Sequence, residues 1–396
     1  MHFLHDTMFV FEKQLCFTQR QRRSMRIGLL GCGVVGSGVC KILDESHSKY
    51  QIKRILVKIK EECVDKRMTI DVRRILDDSN IETVIECMGG IEPAFSYVKE
   101  ALSLKKHVIT SNKKMLAEHY EELIALAKKN HCALRYEASV GGGIPWIHEL
   151  EHLQRVDSIL AFEGIFNGTT NYILSHMEEK PVSFSTVLKE AQRLGYAEQD
   201  PSDDIDGMDT RYKLAISIAK AFGQYIPYHA IPLFGIRNIT KEDVANAKKE
   251  GYRIRLLAQA KKVGNEVEAY VIPTFVKEDT LFAHVKENYN AMKVTSTNLG
   301  ESLYIGQGAG SLPTAHAVVQ DLYSLCDPVN FALAQGKQNT KGKHTYYVRC
   351  INEDAWNSKA KKKKRKNVFL LEDVSFKTVL ACFKKDPNAF VAEVRK

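Results

Sequence analysis

The stretch MRIGLLGCGVVGSGVCKIL, residues 25–43, decides the fold. Residues 26–30 are a short apolar run of strand type, GCGVVGSG follows at residues 31–38, and VCKIL continues as a helix. Gly31, Gly33 and Gly36 therefore spell G-x-G-x-x-G between a strand and a helix, the setting in which this motif holds a dinucleotide pyrophosphate. Gly31 permits the tight turn, Gly33 lets bare backbone approach the phosphates, and Gly36 lets helix and strand pack closely. Val34 and Val35 open the helix, whose N-terminus favours the negative charge. The competing reading is a plain packing turn. A mononucleotide P-loop is excluded, because no Lys-Ser or Lys-Thr closes the motif.

The alternation continues outward. Residues 55–59 read as a second strand and 83–87 as a third, stopped by Gly89 and Gly90. A helix runs from Pro93 to about residue 104, a strand covers 107–110, a helix 118–129 and a strand 133–137. Strands alternating with helices predict an α/β unit, a Rossmann-type doubly wound parallel sheet covered on both faces, over residues 25–140. The second strand ends in Val57, Lys58, Ile59 and Lys60, where an acidic residue usually holds the ribose hydroxyls of NAD. A lysine cannot accept a hydroxyl proton but pairs with a 2′-phosphate. The expected cofactor is NADP, with NAD as the alternative if Glu61 or Glu62 reaches the ribose.

GGGIP at residues 141–145 breaks the alternation. Helical patterns follow near 187–194 and 208–222. Alternating β-rich segments begin at residue 268, and a helix returns after Pro313. We read residues 141–334 as an α+β domain, 335–343 as a polar linker, 335–396 as linker plus tail, and 1–24 as an extension outside the fold. The net charge of +9 is local: Lys359, Lys361 to Lys364, Arg365 and Lys366 carry seven charges, and the rest of the chain is near neutral. That run reads as solvated and often disordered, so no nucleic-acid partner is expected. No apolar run reaches the ~18 residues of a membrane span. The nine cysteines are scattered without a C-x-x-C, which suits reduced thiols and a cytoplasmic location.

Chemistry concentrates at residues 194–220, LGYAEQDPSDDIDGMDTRYKLAISIAK. Asp209 and Lys213 stand at i,i+4 on one helix face. An isolated pair of this kind is usually a surface ion pair of small energetic weight. Here the opposite stripe, Leu214, Ile218 and Phe222, is apolar, and the preceding loop carries Glu198, Asp200, Asp203, Asp204 and Asp206. Hydride addition to a carbonyl leaves an alkoxide that needs a proton, and lysine is protonated at neutral pH. His148, Glu149 and His152 match H-E-x-x-H, but the motif is short and lacks an evident third ligand.

The chain resembles homoserine dehydrogenase over about residues 25–325, on seven blocks in order: RIGLLGCGVVGSGV, IECMGG, TSNKKMLAEH, RYEASVGGGIPWI, GIFNGTTNYIL, LGYAEQDPSDDIDGMDTRYKLAI and GQGAGSLPTAHAVV. The resemblance implies interconversion of L-aspartate 4-semialdehyde and L-homoserine with NAD(P)H, in the biosynthesis of threonine, methionine and isoleucine. It implies Lys213 as proton donor and Lys113 as a second essential lysine between nicotinamide and substrate. Glu198 is then suited to the substrate ammonium and Asp209 to the polar end near Lys213, with Asp204 the remaining acid expected to face the substrate. Gly195 and Gly310 correspond to close approaches of backbone to cofactor. Glu137, Val140, Gly142 and Ile144 correspond to a sodium site built mainly of backbone carbonyls. A homodimer with a small-molecule substrate and no membrane partner is implied as well. Two departures stand out: the extension before Met25, and a C-terminal region that begins like an ACT domain at residues 344–354 and then loses the pattern. With about 50 residues left, a truncated, degenerate ACT-like tail is expected, without threonine feedback.

Overall fold

The computed structural model describes residues 25–395 apart from 47, 330, 360 and 361, so the extension at residues 1–24 lies outside the described residues. Strands β1 (Met25–Leu30), β2 (Tyr50–Leu56), β3 (Met68–Thr69), β4 (Ile81–Glu86), β5 (His107–Thr110) and β6 (Leu134–Arg135) form a parallel sheet in the order β3-β2-β1-β4-β5-β6. A parallel sheet must bury both faces. Helices Val34–Glu45, Ala94–Ser103 and Tyr120–Asn130 cover this one, over a core that includes Ile27, Leu29, Ile55, Val84, Ile85 and Val108. The strand order reverses between β1 and β4, which opens a crevice beyond their carboxyl ends.

Several boundaries differ from the sequence reading. β2 covers 50–56 rather than 55–59, because Tyr50 and Ile52 are buried and the Tyr50 hydroxyl donates to Leu322 O at 2.7 Å. Lys58 and Ile59 fall beyond the strand, in the exposed turn. The expected 118–129 helix is two helices, Lys113–Glu118 and Tyr120–Asn130, broken at His119, whose ring stacks on Phe95 with centroids 3.5 Å apart. The 133–137 strand stops at Arg135, since Glu137 turns away to cap the helix Trp146–Leu153. The helix expected after Pro313 starts at Ser311, so Pro313 sits in the first turn, where a missing N–H is harmless.

The remaining strands are β7 (Ile159–Ile165), β8 (Gln224–Tyr225), β9 (Tyr252–Val263), β10 (Glu266–Lys277), β11 (Tyr289–Ser296), β12 (Gly300–Gln307), β13 (Ala334–Gln335), β14 (Lys343–Arg349), β15 (Lys362–Arg365), β16 (Val368–Ser375) and β17 (Phe390–Val394). Nine of them form one sheet, β12-β11-β7-β9-β10-β17-β14-β16-β15. Helices Gly168–Glu179 and Met208–Phe222 pack with Trp146, Phe162 and Phe166 in its core. The chain then returns to the first sheet. Helix Ser311–Tyr323 lies against Val34–Glu45, and a Cβ at Gly38 would stand 2.9 Å from the Ala315 Cβ. Gly38 therefore serves this helix crossing.

The tail departs most from expectation. Residues 343–394 supply four strands and the helix Phe376–Phe383, joined to the second domain by parallel pairing of β17 with β10. Two 3-10 turns, Glu353–Ala355 and Asn357–Lys359, stand where a longer helix would use more residues. Trp356 between them is fully buried with Tyr346, Phe369 and Leu371 against Ile272 of β10. A short segment folds here because β10 supplies one wall of its core. Part of the lysine run, Lys362–Arg365, is edge strand β15, with Lys363 paired to Glu353 at 2.5 Å and Lys364 to Glu250 at 2.6 Å. Lysines on an edge discourage further strand pairing. The expected linker is partly structured too: β13 pairs with β8, and the Gln338 side chain donates to Ala269 O at 2.6 Å.

Candidate active site

The three motif glycines occupy three different environments. Gly31 has φ +92°, and a Cβ there would meet Cys87 O at 2.9 Å. Gly36 would place a Cβ 2.1 Å from Gly31 O. A Cβ at Gly33 would meet nothing within 4 Å, so that position opens toward space a ligand can fill. Val34, 70% exposed, and Val35 begin the helix at the mouth of a cavity of about 540 Å³. Gly89 follows β4 with φ +79°, beside the same crevice. Lys58 is exposed past the end of β2, and its N–H donates to a Glu62 carboxylate oxygen at 3.1 Å.

The cavity is lined by Lys113, Lys213, Asp209, Asp204, Glu198, Gly195, Gly310 and Gly142, residues separated by up to 197 positions in sequence. Asp209 is its electrostatic centre. One carboxylate oxygen takes Lys113 Nζ at 2.8 Å; the other takes Lys213 Nζ at 2.7 Å and Asn167 Nδ2 at 2.9 Å. Asp209 and Lys213 lie in the first two turns of Met208–Phe222, a helix buried on nearly all sides and started by Gly207 in the left-handed region. Burial alone would raise the Asp209 carboxyl, but the two ammonium groups outweigh it and hold it below the ordinary range. Lys213 also donates to Phe166 O at 2.7 Å. Burial, with a contribution from the Lys113 charge, pushes its pKa below that of a free lysine despite Asp209. Lys113 moves the opposite way, raised chiefly by Asp209. Asp204 is raised by burial and by the Asp209 charge. Thus two lysines in one site have pKa values pushed apart.

The other loop acids take surface partners. Asp206 pairs with Arg237 at 2.6 Å, Asp203 with Lys114 at 3.4 Å, and Asp200 accepts the Ser202 N–H at 3.1 Å. Sequence reasoning missed Asn167. Its amide nitrogen bridges Asp204 at 2.7 Å and Asp209, while its oxygen caps helix Gly168–Glu179 by accepting the Thr170 N–H at 2.8 Å. An asparagine before Gly-Thr-Thr is a legible N-cap, but its second role exists only once two distant carboxylates meet it. Gly168 and Thr169 open that helix at the cavity wall, where first-turn N–H groups suit a carboxylate ligand.

His148 is otherwise engaged: Nε2 lies 2.9 Å from Asp321 and Nδ1 3.3 Å from Glu137. Glu149 accepts from the Tyr304 hydroxyl at 3.2 Å. His148 and Glu149 of the H-E-x-x-H segment are therefore committed to a polar network, while His152 is exposed.

Two sequence families match in tandem: "Homoserine dehydrogenase, NAD binding domain" over residues 31–137 and "Homoserine dehydrogenase" over residues 145–323. The chain is 40% identical over 316 residues to the homoserine dehydrogenase of Bacillus subtilis, covering 76% of this chain and 73% of that protein.

The chain belongs to the homoserine dehydrogenase family.

It is 39% identical to the Helicobacter pylori homoserine dehydrogenase over 314 residues, 77% of this chain and 74% of that one. The structure of a homoserine dehydrogenase from Thiobacillus denitrificans superposes with TM-score 0.84 at 32% identity, covering 94% of this chain and 98% of that one. A hyperthermophilic archaeal homoserine dehydrogenase mutant solved in complex with NADPH superposes with TM-score 0.65 at 25% identity, covering 76% and 97%. The chain is accordingly an NAD(P)-dependent oxidoreductase of amino-acid biosynthesis. Among the described residues no helix is long and apolar enough to cross a membrane.

Proposed function

We propose that the protein interconverts L-homoserine and L-aspartate 4-semialdehyde with NADP(H), using Lys213 to move the proton. The observation that carries the reading is the pairing of buried Lys213 and Asp209 with partly exposed Lys113 in the cavity. Bound in the crevice, the nicotinamide cofactor supplies or accepts the hydride. Lys213, held by Asp209 and Phe166 O, has its remaining N–H direction for the substrate oxygen. It protonates that oxygen in reduction and takes the proton in oxidation. Lys113, partly exposed on the far side of Asp209, stands between cofactor and substrate. Glu198 at the exposed lip receives the substrate ammonium, and Asp204 adds negative charge beneath it. The helix N-terminus at Gly168 and Thr169 receives the substrate carboxylate.

NADP preference rests on exposed Lys58 at the ribose end. The carboxylate of Glu62, already at the Lys58 N–H, keeps NAD as a second reading. A sodium ion fits the 137–144 turn. Among the described residues no hydrogen bond reaches the carbonyls of Val140 or Gly142, and Gly141 and Gly142 sit in the left-handed region that turns such oxygens inward. Glu137 and Asp321 place two buried carboxyl groups nearby; burial pushes Glu137 up to about 8, a shift that a bound cation would reverse. Oxygen donors of this kind suit a hard cation. Glu137, Val140, Gly142 and Ile144 would hold it, fixing the turn that forms the cavity wall. A homodimer is supported by exposed Leu299, Ile305 and Leu312 around edge strand β12. The tail order β17-β14-β16-β15 supports an ACT-like module with its first helix reduced to turns.

The deciding experiment is spectrophotometric: homoserine with NADP or NAD, against aspartate as control substrate. Reduction of cofactor only with homoserine, and faster with NADP, is expected. Turnover with aspartate instead would overturn the assignment.

A further inference from the structure

Glu86 is fully buried at the carboxyl end of β4, and its partners are hydrogen-bond donors rather than cations. One oxygen accepts the Met88 N–H at 2.7 Å; the other accepts the Thr110 hydroxyl at 2.5 Å. The Asn112 amide nitrogen reaches Glu86 at 3.4 Å and Gly90 O at 2.6 Å. The Thr110 oxygen in turn accepts the Asn112 N–H at 3.0 Å, and the Asn112 side-chain oxygen caps the Lys113 helix through the Met115 N–H at 3.1 Å. One carboxyl group thus ties together two segments. The first is the 88–90 loop, whose Gly89 and Gly90 are left-handed beside the cofactor crevice. The second is the 110–112 turn that launches Lys113. A buried carboxyl without a cation is costly, and at this strand end an apolar residue would pack without that cost. Burial raises the Glu86 carboxyl, and the hydrogen bonds it accepts from Thr110, Met88 and Asn112 oppose that shift.

We propose that Glu86 is a positioning residue that holds Lys113 in register with the 88–90 cofactor loop, so that seating of the cofactor and placement of the lysine are one event. This rests on Lys113 as the lysine between cofactor and substrate. The hydrogen bonds act on two sides: the bond to Met88 governs the cofactor loop, and those to Thr110 and Asn112 govern Lys113.

The test uses the full chain and separates the two sides. Thr110→Val, nearly isosteric, removes the hydroxyl link and spares the bond to Met88. Its kcat for homoserine oxidation should fall about tenfold or more, while the NADPH Kd, read by fluorescence, stays within about threefold. Glu86→Ala should lower kcat similarly and also weaken NADPH about tenfold, with Glu86→Gln recovering part of both. In a Lys113→Ala background, Thr110→Val should change kcat less than about twofold, because its effect passes through the lysine. Turnover of Thr110→Val within about twofold of the parent, or an undiminished loss in the Lys113→Ala background, overturns the proposal. Should Glu86→Ala fail to fold, the Thr110→Val pair decides alone. A Lys113→Ala variant with parental turnover refutes the role of Lys113 itself, a separate and distinguishable failure.

Discussion

Asp209 holds two lysines at 2.8 and 2.7 Å, and their different burial sends them in opposite directions. Lys213 is depressed, so its neutral form is reached below the ~10.4 of a free lysine. Homoserine oxidation needs that neutral form and should rise with pH through the depressed value; semialdehyde reduction should fall through the same value. Initial rates in both directions from pH 6 to 10 check this, and parallel profiles would count against Lys213. The Lys113 charge contributes to the depression, so Lys113→Ala should move the oxidation limb to higher pH as well as slowing turnover. Lys213→Ala should cut kcat by about 10² to 10⁴ while cofactor still binds. Lys58→Ala should weaken NADPH about tenfold more than NADH, the scale of one charge-assisted hydrogen bond; equal weakening would remove Lys58 from the 2′-phosphate. At this scale the pair Asp209 and Lys213 is readable from i,i+4 spacing. That the pair is buried at the cavity, and is not a surface bridge, is something that spacing does not report.

The strand–turn–helix at residues 25–45 separates two kinds of glycine. Gly33 faces open space, whereas Gly36 touches Gly31 O. Gly33→Ala should therefore leave Tm nearly unchanged and weaken NADP(H) by blocking the phosphate approach. Gly36→Ala should lower both Tm and affinity, because the backbone has to part. Thermal melts with cofactor titration distinguish them, and equal melting losses would contradict the geometry. The helix Met208–Phe222 was legible to the residue because its apolar stripe and its Gly207 and Gly223 ends agree. β2 was not, since Gln51, Lys53 and Arg54 hide a strand whose Tyr50 and Ile52 are buried only after helix Ser311–Tyr323 returns from about 260 residues away.

Across the molecule, the tail and the second domain share one sheet, and His344 stands at the seam. Its nitrogens lie 2.6 Å from Glu268 of β10 and 3.0 Å from Glu393 of β17, with Tyr270 and Tyr346 beside the ring. Burial alone would lower this imidazole, but the two carboxylates outweigh it and push its pKa up to about 9. The folded value exceeds the unfolded ~6.5, so the stabilisation is complete below ~6.5 and is lost as pH rises through about 9. The Tm difference between the parent chain and His344→Gln should shrink from pH 6 to pH 10; a constant difference would exclude the imidazolium. Trp356→Ala, emptying the tail core, should cost about 3–5 kcal/mol in denaturant unfolding.

By itself the sequence determined the nucleotide-binding half and the family, and named many of the residues that line the cavity, because glycine spacing, strand–helix alternation and seven ordered blocks are local and survive being read in one dimension. The tertiary structure decided the rest. Asn167 meets Asp204 and Asp209, and Glu86 meets Thr110 and Asn112, only once separate elements pack side by side. The tail folds although its pattern fails, because β10 pairs with β17 and lends it one wall of its core. Non-local burial and hydrogen bonding depend on which segments meet, and the meeting is a property of the packed chain.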